Sequence, residues 1–150
     1  IKFLFHFKLT NFFICHYSYI STMKLKDFDY TVNIKTPIYP TETEQKILFC
    51  LKQIFPEADF EVNDEEIKGE SESLQRFKKI LKDMKIRDTA RSYMLNNIRK
   101  DECFFVLSKQ ATCSKTINFS EEQQPLGGVE VRIRSINIDE LINNITMIEE

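Results

Sequence analysis

The chain has 150 residues, 42% hydrophobic and 29% charged, with a formal net charge of −2. That is one domain's worth of ordinary globular composition, and three glycines with four prolines exclude long linkers and low-complexity sequence. The near-neutral total excludes attraction to nucleic acid by net charge alone, so any polyanion must be met by a local patch.

Residues 1–22 stand apart, rich in Phe, Ile and Tyr and holding both histidines, His6 and His16. Lys8 interrupts the apolar run and no small-residue cleavage site follows, which argues against a secretory signal. A membrane helix needs about 20 mostly apolar residues, and Lys2, His6, Lys8, Asn11 and His16 break this run. Met23 is therefore the expected translation start. Residues 1–22 are expected to be an upstream leader, and residues 23–150 a single domain.

From there Tyr30, Val32 and Ile34 alternate with polar residues, the pattern of a half-buried strand, closed by Pro37 and Pro40. Thr41 and Glu44 have the spacing of a capping box. The helix they open buries Ile47, Leu48, Leu51, Ile54 and Phe55, and Pro56 stops it. Residues 59–64 and 67–71 are expected as two short strands about a polar turn at 63–66, with Gly69 marking a bulge or a close approach. Ser71 or Ser73 caps a second helix, 74–85, whose apolar stripe is Leu74, Phe77, Ile80, Leu81 and Met84. After a break near Ile86 and Arg87, Asp88 caps a third helix to about Arg99, burying Ala90, Met94, Leu95 and Ile98. Arg99 and Lys100 then complement its dipole.

Residues 103–107 form an apolar strand, and 110–117 continue as strand or loop. Residues 121–124 are polar, and Pro125-Leu-Gly-Gly signals a turn. Val129, Val131 and Ile133 point inward against outward Glu130, Arg132 and Arg134. Asn137 or Asp139 opens a last helix packed through Leu141, Ile142 and Ile145. The order β-α-β-β-α-α-β-β-α predicts an α+β fold, a mostly antiparallel sheet with helices on one face.

Charge is sorted along this order. Residues 74–100 hold nine basic and two acidic side chains, a balance of +7, whereas residues 41–72 hold three basic and ten acidic ones, a balance of −7. Helical spacing gathers Lys78, Lys79, Lys82 and Lys85 opposite the apolar stripe, where a row of ammonium groups suits phosphates. Arg87 and Arg91 stand four apart at the start of the third helix, where free N–H groups also favour anions. Lys109, Lys115, Arg132 and Arg134 are candidates to extend the surface from the sheet. The competing readings are a merely solvated helix face, or neutralisation by the acidic segment.

Other chemistry is sparse. Cys15, Cys50, Cys103 and Cys113 are far apart without a C-x-x-C pair, so buried free thiols in a reducing cytoplasm are expected. With Met23 as the start no histidine remains, which removes the commonest general base, the Ser-His and Cys-His pairs and His-based metal sites. Gly127 and Gly128 precede a strand, unlike phosphate-cradling loops, which lead into helices. Glu65-Glu66 and Glu121-Glu122 sit in turns without convergent partners, so a carboxylate-based divalent-metal enzyme is the weakest reading.

Several segments occur in a fixed order: Ile86-Arg-Asp-Thr-Ala-Arg91, Ser108-Lys-Gln-Ala111, Lys115, Asn118-Phe119 and Pro125-Leu-Gly127. Together they resemble the signature of an uncharacterised archaeal protein family, over residues 26–142. Its members are similar to exosome-associated predicted RNA-binding proteins, with a fold like the large-subunit ribosomal protein that contacts 5S RNA. The resemblance implies a cytoplasmic, non-catalytic protein that binds structured RNA through phosphates and shape, without membrane or small-molecule cofactor. Thr112-Cys113 and Gly128-Val129 depart from the family pattern. The second reading is a homodimer or assembly subunit whose charge blocks pair between chains.

Overall fold

Alternation along the first strand decides which way the sheet faces. In β1 (Thr31–Pro37), Val32, Ile34 and Thr36 are buried while Thr31, Asn33 and Lys35 face water. The computed structural model describes residues 23–120 and 127–147. The expected leader at 1–22 and the polar stretch at 121–124 lie outside them.

The other strands are β2 (Asp59–Val62), β3 (Glu66–Ser71), β4 (Ile98–Arg99), β5 (Glu102–Ser108) and β6 (Gly128–Arg134). They form one six-stranded sheet in the order β2-β3-β1-β6-β5-β4, antiparallel at every pairing. Ile34 sits at its centre, opposite Gly69 on one side and Val131 on the other. The helices are α1 (Glu44–Ile54), α2 (Gln75–Asp83), α3 (Arg87–Asn96), α4 (Lys109–Cys113) and α5 (Ile138–Ile145), preceded by a 3-10 turn at Leu25–Asp27. This is the expected α+β class.

One core joins the two layers. Phe77 of α2 is fully buried; its ring stacks on Phe55 at 6.2 Å and tilts against Phe105 of β5 at 5.8 Å. Burial of such a ring contributes about 2–3 kcal/mol, and paired rings add a little more. The expected core positions Ile47, Leu51, Ile54, Leu74, Leu81, Ala90, Met94, Leu141, Ile142 and Ile145 are buried. Gly69 meets a close approach: the Phe60 ring of β2 lies over it, where a Cβ would collide. Gly127 turns with φ of +71°.

Local details differ from the sequence reading. The third helix ends at Asn96, and Asn97 turns its side-chain amide back to the Tyr93 carbonyl at 2.6 Å. Ile98 and Arg99 then pair with Cys103 and Glu102 as β4, so Arg99 and Lys100 do not sit on a helix terminus. Residues 109–113 are helical rather than strand or loop, because Ser108 accepts a hydrogen bond from the Ala111 N–H at 3.3 Å and caps α4. The Thr41 capping box is not formed. Thr43 is the N-cap, without a side-chain bond, and the Glu42 carboxylate instead accepts the Tyr39 N–H at 3.2 Å. Asp88 does not cap α3, whose N-cap is Ile86. Leu74 is the N-cap of α2, although the Ser73 hydroxyl accepts the Gln75 N–H at 3.3 Å.

The cysteines also correct the expectation. Cys50 and Cys113 form a disulfide joining α1 to α4. Cys103 is a buried free thiol, pushed up to about 12 by burial and then by the Glu102 charge. Cys15 lies outside the described residues. Among the described residues no helix is long and apolar enough to cross a membrane. A bond across a separation of 63 residues removes chain entropy from the unfolded state worth about 4 kcal/mol. Urea unfolding with and without dithiothreitol should therefore show a loss of about 2–4 kcal/mol on reduction.

Candidate nucleic-acid interface

Helix α2 presents two faces with different chemistry. Leu74, Phe77 and Leu81 are buried against the sheet, while Gln75, Arg76, Lys79, Lys82 and Asp83 are exposed. Lys78 lies on the boundary and leans across to α5, its Nζ donating to Asn144 Oδ1 at 3.2 Å. Asn144 is itself buried and donates from Nδ2 to the Met23 carbonyl at 2.7 Å. Arg87, the first residue of α3, donates to the Met147 carbonyl at 3.1 Å, just past the end of α5. Two cations thus reach the C-terminal end of α5, where the helix carbonyls carry partial negative charge.

These contacts wall a groove of about 340 Å³ lined by Lys78, Lys79, Lys82 and Arg87, with Asp83 the one acidic side chain among the described residues that line it and Ile145 and Met147 on its apolar side. Lys79, Lys82, Lys85, Arg91 and Lys115 are all exposed. Among the described residues none of the five has a carboxylate at salt-bridge distance. The acidic segment does not neutralise this face. Its ion pairs run from Glu42 to Lys109 and from Glu66 to Lys35 and Lys68.

The remaining candidates are placed elsewhere. Lys109 is 7% exposed; its ammonium donates to the Pro37 carbonyl at 2.8 Å and to Glu42 Oε1 at 3.0 Å, beside the Tyr39 ring. It fastens α4 to the chain leaving β1 rather than facing solvent. Arg132 and Arg134 lie on the outer face of the sheet, opposite the helices, because Val131 and Ile133 take the inner one. Both bind Glu102, at 2.8 and 3.2 Å, and Arg132 also covers the Phe104 ring at 4.5 Å. The Arg132 hydrogen bond, helped by Arg134, holds the Glu102 carboxyl below the usual range. On the same face Lys68 and then Lys35 do this for Glu66.

The structure brings Lys78, Lys79, Lys82 and Arg87 together along one groove, and it places Lys109, Arg132 and Arg134, expected to extend that surface, in ion pairs elsewhere. Asn144 and Met147, which position Lys78 and Arg87, are not among the residues expected from the sequence. A polar residue at core spacing, three positions after Leu141, was the signal for Asn144.

A family model described as RNA binding matches residues 31–135, a span that includes α2 and α3. A UPF0200/UPF0201 protein of Archaeoglobus fulgidus is 39% identical over 108 residues, 71% of this chain and 33% of that protein, so the chain spans about a third of its length. A UPF0201 protein of Methanothermobacter thermautotrophicus is 32% identical over 115 residues, covering 75% of this chain and 87% of the relative. The crystal structure of a UPF0201 protein from Methanococcus jannaschii has a TM-score of 0.73 at 27% identity, over 80% of this chain and 95% of that one.

Two outcomes test these placements. Lys109→Met leaves the Glu42 carboxylate without its cationic partner and should cost about 3 kcal/mol in urea unfolding, against under about 1 kcal/mol for the exposed Arg134→Ala. Because the Glu102 pKa is lowered on folding, its stabilising contribution is present above the ordinary carboxylate range and is lost as pH falls through its own lower value. An NMR titration should place Glu102 below ordinary glutamates, and Arg132→Ala should move it back up.

Proposed function

We propose that this chain, which belongs to the UPF0201 family and matches the family model described as RNA binding, is a non-catalytic protein that holds structured RNA through the α2–α3 face. The observation that carries this reading is the run of exposed cations, Lys79, Lys82, Lys85 and Arg91, that meet no carboxylate among the described residues, on a chain whose net charge is −2. Lys79, Lys82, Lys85 and Arg91 meet backbone phosphates. Lys78 and Arg87 build the groove wall and add their charge to it, and Lys115 extends the surface. Recognition rests on phosphates and shape, the mode suited to a helical RNA whose base edges are hard to reach. The sequence resemblance to exosome-associated RNA binders and to the 5S-contacting ribosomal protein supports this reading, with the cytoplasm as the proposed place of action. Lys109 is assigned to stability, and Arg132 and Arg134 to the opposite face.

Filter binding of a labelled RNA stem-loop tests the reading. Affinity should fall with salt, with a log-log slope of about −0.7 to −0.9 per phosphate contact. Lys79→Gln combined with Lys82→Gln should weaken binding roughly 10- to 100-fold and flatten the slope by about 1.6. No retention at low salt would overturn the proposal.

A further inference from the structure

Among the described residues three non-glycine positions have a left-handed backbone, and all three are lysines: Lys85 (φ 59°), Lys100 (φ 59°) and Lys115 (φ 57°). That conformation crowds Cβ against the next carbonyl, and glycine is its usual occupant. Lys85 and Lys115 end α2 and α4 in the same way. Lys85 N–H donates to the Lys82 carbonyl at 3.1 Å and Ile86 N–H to the Leu81 carbonyl at 3.2 Å. Lys115 N–H donates to the Thr112 carbonyl at 3.1 Å and Thr116 N–H to the Ala111 carbonyl at 3.0 Å. This is the helix stop in which glycine normally fills the left-handed place.

Glycine would make the same hydrogen bonds with less crowding. Both lysine side chains are exposed, so core packing does not account for them. What lysine adds is an ammonium group on an outward arm. The two turns also lie against each other: the Ile117 N–H meets the Met84 sulfur at 3.3 Å. Lys82, three positions before Lys85, continues the line into the α2–α5 groove. Strained backbone collects at binding sites because the site's function holds it there.

We infer that Lys85 and Lys115 form a second phosphate subsite, a pair of ammonium groups that grips the RNA backbone where it leaves the groove. This subsite rests on the RNA-binding reading above. Lys100 supplies an internal comparison. It has the same backbone strain, but it stands in the β4–β5 turn beside Asp101, at the opposite end of the seven-residue β5 from α4, roughly 20 Å away.

The test measures melting temperature and affinity for a labelled RNA stem-loop in the full chain. Lys85→Gly with Lys115→Gly should melt no lower than the parent, by relief of strain. The same double variant should lose affinity roughly 10- to 100-fold and flatten the salt slope by about 1.6. Lys100→Gly should relieve strain equally and bind as the parent does. Lys85→Asn with Lys115→Asn, which keeps a residue tolerant of this conformation, should lose affinity like the glycine pair, while the double arginine variant should retain it. Parental affinity in the double glycine variant, or an equal loss in Lys100→Gly, would overturn the subsite. If Lys79→Gln with Lys82→Gln weakens binding while the glycine pair does not, this inference falls together with the RNA contacts assigned to Lys85 and Lys115, and the α2 groove reading stands. If the parent protein retains no RNA at all, the functional reading falls with it.

Discussion

The contact on which the rest turns is Phe77, held between Phe55 and Phe105. Phe77 is fully buried between these rings, and its burial fixes the roll of α2 about its own axis. With Phe77 and Leu81 inward, positions 79 and 82 must point away, because helical neighbours three and four apart share a face and the others do not. Lys78 falls at the margin, and its stem reaches α5 instead. The apolar contact and the cationic surface are two consequences of a single helical period.

The same logic on a strand gives a different outcome. Period two sends Arg132 and Arg134 to the water-facing side of the sheet, where Glu102 on the neighbouring strand is directly opposite Arg134. Lys35 and Lys68 likewise share Glu66. Cross-strand neighbours are close enough to pair, so the sheet face balances its own charge. The acidic strands β2 and β3 do not serve the α2 face in this way, since they lie in the sheet at the edge farthest from β4 and turn their carboxylates to its outer side.

Rigidity around the cationic face comes from ties between distant segments. The Cys50–Cys113 disulfide joins α1 to α4, and the Lys109–Glu42 pair fastens the first residue of α4 beside it. Asn144 ties Lys78 to the Met23 carbonyl through α5. Tyr93 of α3 packs on Phe119 at 4.7 Å, which keeps the chain after α4 against the helical layer. A surface that meets a stiff, highly charged partner gains from such preorganisation, because less freedom is lost on binding.

The α+β class, nearly every element and the buried positions of the helices were legible in the sequence, since apolar periodicity is a local signal that burial simply reads out. The basic stripe of α2 was legible for the same reason. Other features depended on partners far away in the chain. Whether Lys109 met solvent or Glu42, whether Arg132 faced the groove or Glu102, and whether Cys50 met Cys113 were decided by strand order and register. A lysine's charge is written in its codon, but its availability to a ligand is set by which carboxylate the fold brings within reach. For Lys79 and Lys82 the tertiary structure brings none among the described residues, and that is what only the folded arrangement decided.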